Sequence, residues 1–154
     1  MNISKNLLLS EVTKSATAKR RGISNRPTTQ HLRNLTLLAD NIYEKLISHF
    51  RVNIPISSGY RSKQLNDAIG GSDSSQHMTG QAIDIDMDGS SSKITNADIY
   101  NYIKNKLEFD QLIWEFGTNK NPDWVHVSFN QGKNRKQKLK AVRVKGKTSY
   151  INMP

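Results

Sequence analysis

From Gln81 to Asp88 the chain alternates polar and apolar side chains and ends in the run Ile83-Asp84-Ile85-Asp86-Met87-Asp88. A period of two belongs to an extended strand, which sorts alternate residues onto opposite faces. One face of this strand therefore carries carboxylates and the other carries aliphatic groups. The strand is entered through Gly80, and His77 lies just ahead of that glycine. A second alternating stretch, Trp124 to Phe129, puts Trp124, His126 and Ser128 on one face and Val125, Val127 and Phe129 on the other. Two imidazoles and a carboxylate from separate elements can hold a zinc ion and leave a fourth position open.

The 154 residues suffice for one domain with a real core and are too few for two comfortable ones. The chain has no cysteine, so disulfides and thiolate metal sites are excluded and any zinc must use His and carboxylate ligands. No apolar run approaches the length of a membrane span, and Leu7 to Leu9 is too short for the core of a signal peptide. The expectation is a protein synthesised in the cytoplasm. The net charge of +10 is concentrated at the end, where residues 131–154 hold eight Lys and Arg and no Asp or Glu. Such a segment favours a polyanionic partner.

Read in order, a short helix is expected across Ser10 to Arg20, stopped by Gly22, followed by a break at Pro27. Thr28 or Thr29 then caps a long helix to about Phe50. Leu32, Leu35, Leu38, Ala39, Ile42, Leu46 and Phe50 recur along it at spacings of three and four. His31 and His49 on or near this helix read as ordinary surface or helix-end residues. Val52 to Ser58 reads as an edge strand because of Pro55, and Ser62 to Ile69 as a short helix closed by Gly70-Gly71. Thr95 and Asp98 make a capping box for a helix carrying Ile99, Tyr102, Ile103 and Leu107. Asp110 to Phe116 reads as a strand. Leu139 to Val144 and Ser149 to Asn152 read as arms of a hairpin around Gly146. Helices first, then strands interleaved with one more helix, indicate an α+β fold with a mostly antiparallel sheet.

Asp84-x-Asp86-x-Asp88-Gly89 also opens like a calcium loop. That loop requires a bidentate Glu at its twelfth position, which here is Thr95, and a helix where this chain has a strand. The zinc reading fits better. Ser75-x-His77-x-x-Gly80-x-Ala82-x-Asp84 resembles, position for position, the S-x-H-x-x-G-x-A-x-D signature of the zinc D-Ala-D-Ala carboxypeptidases and L-alanyl-D-glutamate endolysins. These are the LAS-type metallopeptidases. Ser58-Gly59-Tyr60-Arg61-Ser62 and Trp124-Val125-His126 resemble two further segments of that family, and the helix from Thr28 to Phe50 resembles its cell-wall carboxypeptidase branch. The resemblance spans roughly residues 8–130. It divides the chain into a zinc peptidase domain, residues 1–130, and a basic C-terminal extension, residues 131–154, forming a hairpin or tail.

The resemblance implies a single hedgehog-like, DD-peptidase-like domain with helices packed on one side of a small sheet. It implies that His77, Asp84 and His126 bind Zn2+. Asp123, three residues before the last His, occupies the position of the family's general base, often Glu, and Glu115 on the preceding strand is the alternative. Arg61 is implied as a clamp on a substrate carbonyl or carboxylate, and Ser75 as a substrate or neighbouring hydrogen-bond donor. The implied activity is hydrolysis of a peptidoglycan stem-peptide bond, by a phage endolysin released through a holin or by a virion-associated enzyme. Two other readings stand beside it. One is a non-enzymatic zinc-binding structural protein of the same fold. The other is a nucleic-acid-binding protein driven by the basic tail, although only Tyr150 supplies an aromatic among those charges.

Overall fold

The computed structural model describes residues 1–154. A small ribbon of β1 (Asn2–Ser4) and β2 (Leu7–Leu8) leads into α1 (Leu9–Thr13) and α2 (Ala16–Arg21). The single helix expected across Ser10 to Arg20 is thus two. Lys14 turns extended, and the Ser15 side chain accepts from the Ala18 amide to start α2 afresh. Serine competes well for amides in this way, which favours a cap over a helix interior. Gly22 closes α2 with a left-handed φ of 65°, the stop read from the sequence.

The long helix is present. It runs as α3 (Thr29–Leu38), a π-helical turn (Ala39–Tyr43) and α4 (Glu44–Phe50), and the Thr28 hydroxyl accepts from the His31 amide at its start. Its stripe buries Leu35, Leu38, Ala39, Ile42 and Leu46. β3 (Ile56–Ser58) is shorter than the expected strand, in keeping with Pro55. Ser62 caps α5 (Lys63–Ala68), and a 3-10 turn (Gln76–Thr79) then delivers His77. β4 (Ala82–Ile85) stops before Asp88 because Asp86 leaves the ladder: its Oδ1 accepts from the Asp88 amide at 2.9 Å and from Asn96 Nδ2 at 3.1 Å. The capping box of Thr95 and Asp98 opens α6 (Asn96–Lys106) as expected. β5 (Gln111–Glu115), β6 (Trp124–Ser128), β7 (Gln137–Val144) and β8 (Lys147–Asn152) follow.

The main sheet has the order β3-β4-β6-β5-β7-β8, and every neighbour pair is antiparallel except β5 with β7. The expected hairpin is the last third of this sheet. Lys145 and Gly146 both take positive φ, 51° and 77°, which is the twist that a two-residue hairpin turn requires. The strand periodicity sorts two environments. Ile83, Ile85, Leu112, Trp114, Val125 and Val127 face the helices and share one core with Leu35, Ile42, Leu46, Ile99 and Ile103. The opposite face has a smaller apolar group, Ile113, Leu139 and Ala141, with Phe116 against it. All the helices therefore lie on one side of the sheet, as an α+β fold of this kind requires, and the other side is left open for chemistry.

One buried carboxylate ties the start of β7 to the turn that carries His77. Asp110 accepts from Gln76 Nε2 at 2.8 Å, and from Arg135 through its amide at 2.9 Å, Nε at 2.8 Å and NH2 at 3.1 Å. Burial alone would raise the Asp110 carboxyl, but these hydrogen bonds and the guanidinium charge outweigh it and lower its pKa. A carboxyl whose folded pKa is depressed contributes stability that is complete above its unfolded value, near 4, and is lost as the pH falls below it. Asp110→Asn is therefore expected to lower stability by about 2 kcal/mol at pH 7. In urea unfolding the gap from the parent should shrink towards pH 3.

Candidate metal centre and its cavity

His77 is placed by three backbone constraints. The Ser75 hydroxyl accepts from its amide at 3.3 Å, its own carbonyl accepts from the Arg61 amide at 3.1 Å, and Gly80 ends the turn at φ 73°. Its ring is then fixed by Nδ1, which lies 2.7 Å from the Gly59 carbonyl oxygen. A carbonyl only accepts, so Nδ1 carries the proton and Nε2 is left with its lone pair. Gly59 can sit this close because it has no side chain: a Cβ there would run into the Val12 carbonyl. Asp84 and His126 are directly paired residues of β4 and β6, so their side chains leave the same face of the sheet side by side.

The result is a convergent set. Asp84 Oδ1 lies 3.3 Å from His77 Nε2 and 3.0 Å from His126 Nδ1. The ligand atoms of all three residues fall within 4.8 Å of one another. A tetrahedron with bonds of about 2.0–2.1 Å has edges of about 3.3 Å, so the two measured separations are those of a zinc ligand shell. The donor chemistry agrees. His77 Nε2 is buried with no hydrogen-bond partner and points its lone pair at a carboxylate oxygen, an arrangement that a cation between them resolves. Burial would raise the Asp84 carboxyl, yet in the metal-free site protonated imidazoles at His77 and His126 hold it well below the usual carboxylate range through charge and hydrogen bonding. The three residues fit a divalent metal.

They sit in a cavity of about 590 Å³ that Arg61, Ser75, Glu115, Trp124, Arg143 and Tyr150 also line. Glu115 is paired with Trp124, two residues along β6 from His126, and is buried on the site face. Burial pushes its carboxyl up to about 7, against the pull of His126 and with the push of Asp84. Arg61 is half-buried, its Nε has no partner, and burial lowers its pKa while Asp84 raises it. Ser75 lines the cavity and holds the His77 amide. Asp123 is not brought to the cluster. Asp123 lies exposed at the entry to β6, outside the cavity, with its amide donating to the Glu115 carbonyl at 2.9 Å.

Residues 5–128 match the peptidase M15 family. The chain belongs to that family. Membership supports a metallopeptidase whose cofactor is zinc, and the His77, Asp84 and His126 cluster is where this chain can hold a metal. No curated protein matches the chain. No helix of this M15 protein is long and apolar enough to cross a membrane.

The cavity wall formed by Leu139, Arg143, Thr148 and Tyr150 lies beyond residue 130, where the family resemblance ends. The signal was the period of two in Leu139, Ala141 and Arg143, which gives β7 a face turned to the site. The Gly59 carbonyl was illegible, since backbone acceptors leave no trace in residue type. Because that carbonyl orients a ligand, Gly59→Ala is expected to weaken zinc binding by roughly 10- to 100-fold, read by competition with a chromophoric chelator. An unchanged affinity would show that His77 is held by other means.

Proposed function

We propose that this protein is a zinc-dependent peptidase that cleaves a bond of the peptidoglycan stem peptide, with Glu115 rather than Asp123 as its general base. The observation that carries the reading is the convergence of His77 Nε2, Asp84 Oδ1 and His126 Nδ1 in one cavity with a buried carboxylate beside them. A zinc ion held there supplies Lewis acidity, activating water and polarising a carbonyl.

The remaining work falls to the chain. Glu115 takes a proton from the attacking water and passes it to the leaving amine. A carboxyl raised to about 7 is suited to both directions of that transfer. Arg61 carries a guanidinium with an unpartnered Nε into the cavity, where it binds a substrate carboxylate or the oxygen that gains charge. Ser75 contributes mainly by holding the His77 amide. The peptidoglycan substrate rests on the Ser75-to-Asp84 motif. Holin release or virion delivery would bring such an enzyme to the wall, and detection in purified virions or only in late lysates would separate the two.

With zinc-loaded protein and defined muropeptides, Glu115→Gln is expected to lower kcat by roughly 10²- to 10⁴-fold. Asp123→Asn should stay within a few-fold of the parent. The reverse pattern would return the base to Asp123. Muropeptides left intact by fully metallated parent protein would favour a zinc-binding structural protein instead.

A further inference from the structure

Three arginines line the cavity, and they differ in how they are used. Arg135 is neutralised by Asp110, whereas Arg61 and Arg143 make no ion pair. These two stand on opposite sides of the metal cluster. Arg61 follows the edge strand β3, and Arg143 lies on β7, beyond β6 and β5. Arg143 leaves the sheet on the site face, because Ala141 two residues earlier is the partner of Glu115.

The setting of Arg143 is built rather than incidental. Its guanidinium lies 4.5 Å above the centre of the Phe116 ring. Phe116 holds a left-handed φ of 55°, a conformation that a non-glycine residue rarely adopts. Its amide donates to the Ala141 carbonyl at 3.0 Å, and its ring packs edge-on against Trp124. The ring thus forms a shelf beside the cluster and supports a cation whose donors are unspent. Tyr150, on the neighbouring strand β8, lines the same end of the cavity, and burial together with the Glu115 and Asp84 charges raises its phenol.

We propose that Arg143 is a substrate-binding residue, a second carboxylate anchor that selects peptides with an acidic group on the side of the scissile bond away from Arg61. This rests on the peptidase reading above and adds the substrate class to it. β7 is two strand spacings from β6, about 10 Å, and Arg143 lies further along its strand than the row of His126. An extended peptide advances about 3.3 Å per residue, so the acidic group lies roughly three to five residues from the bond cut. The substrate is then an acidic peptide held at two points, with the metal cluster between them.

The test uses the full-length chain and the pentapeptide L-Ala-γ-D-Glu-L-Lys-D-Ala-D-Ala. The comparison probe is the same peptide with the glutamyl α-carboxylate converted to a carboxamide. Equilibrium binding is measured on metal-free protein by calorimetry, and cleavage on zinc-loaded protein. The parent is expected to bind the acid form about 10-fold more tightly than the amide. Arg143→Gln should erase that preference without changing the affinity for the amide, and in the loaded enzyme it should raise KM for the acid form alone. Arg143 is exposed on a hairpin, so the variant should keep the parent's circular dichroism and Tm. An acid-to-amide ratio that survives Arg143→Gln, or a parent that binds neither peptide, overturns the anchor. Cleavage of both peptides with equal efficiency, unaffected by the substitution, would sink the anchor and leave the peptidase reading standing. Arg143-dependent binding without any cleavage would do the opposite.

Discussion

The site depends on the register of β4 against β6. Asp84 faces His126 across that ladder, and Ile83 and Ile85 on either side face Val127 and Val125. A slip by one residue would carry Asp84 into the helix-covered core and Ile85 into the cavity, because side chains alternate faces with a period of two. The core therefore enforces the site. Ile83, Ile85, Val125 and Val127 are fully buried, and burying each is worth about 1.5–3 kcal/mol, so the register that buries them all also presents both ligands. His77 arrives from outside the sheet. Its ring is aimed by the Gly59 carbonyl, and the turn carrying it is tied to the sheet through Gln76 and Asp110.

The same division of faces explains the electrostatics of the cavity. The site face is closed enough that burial perturbs the carboxyls of Asp84 and Glu115, yet they move in opposite directions. Asp84 has two imidazoles against it and stays ionised, which suits a ligand. Glu115 has fewer compensating groups and rises to about 7, which suits proton transfer. Two strands of one sheet, β4 and β5 on either side of β6, thus hold two carboxylates in two different states.

Much of this was legible in the sequence because periodicity and chemistry coincide there. The stripe from Leu32 to Phe50, the Thr28 cap, the Thr95 and Asp98 box and the alternating strands all follow from local rules, and they appear where those rules put them. What stayed hidden was long-range. The end of β4 depends on Asp86 bonding to Asn96, ten residues away, whereas the break at Lys14 is a local competition that Ser15 settles by capping α2. The place of Asp123 was hidden because it precedes the alternating stretch that begins at Trp124, where the period of two no longer fixes a direction. Most consequential was the docking of β7 beside β5 in parallel. Local pattern announces a hairpin but not the strand it joins, and that pairing turns the basic segment into a wall of the cavity.

The central claim is that His77, Asp84 and His126 together hold one divalent metal. The most direct test is the zinc content of the purified protein, after reconstitution and removal of free metal, beside that of a His77→Ala variant. The account requires about one zinc per chain in the parent and little in the variant, with both proteins folded. A parent that takes up no zinc at neutral pH, or a variant that keeps its full complement, would contradict it.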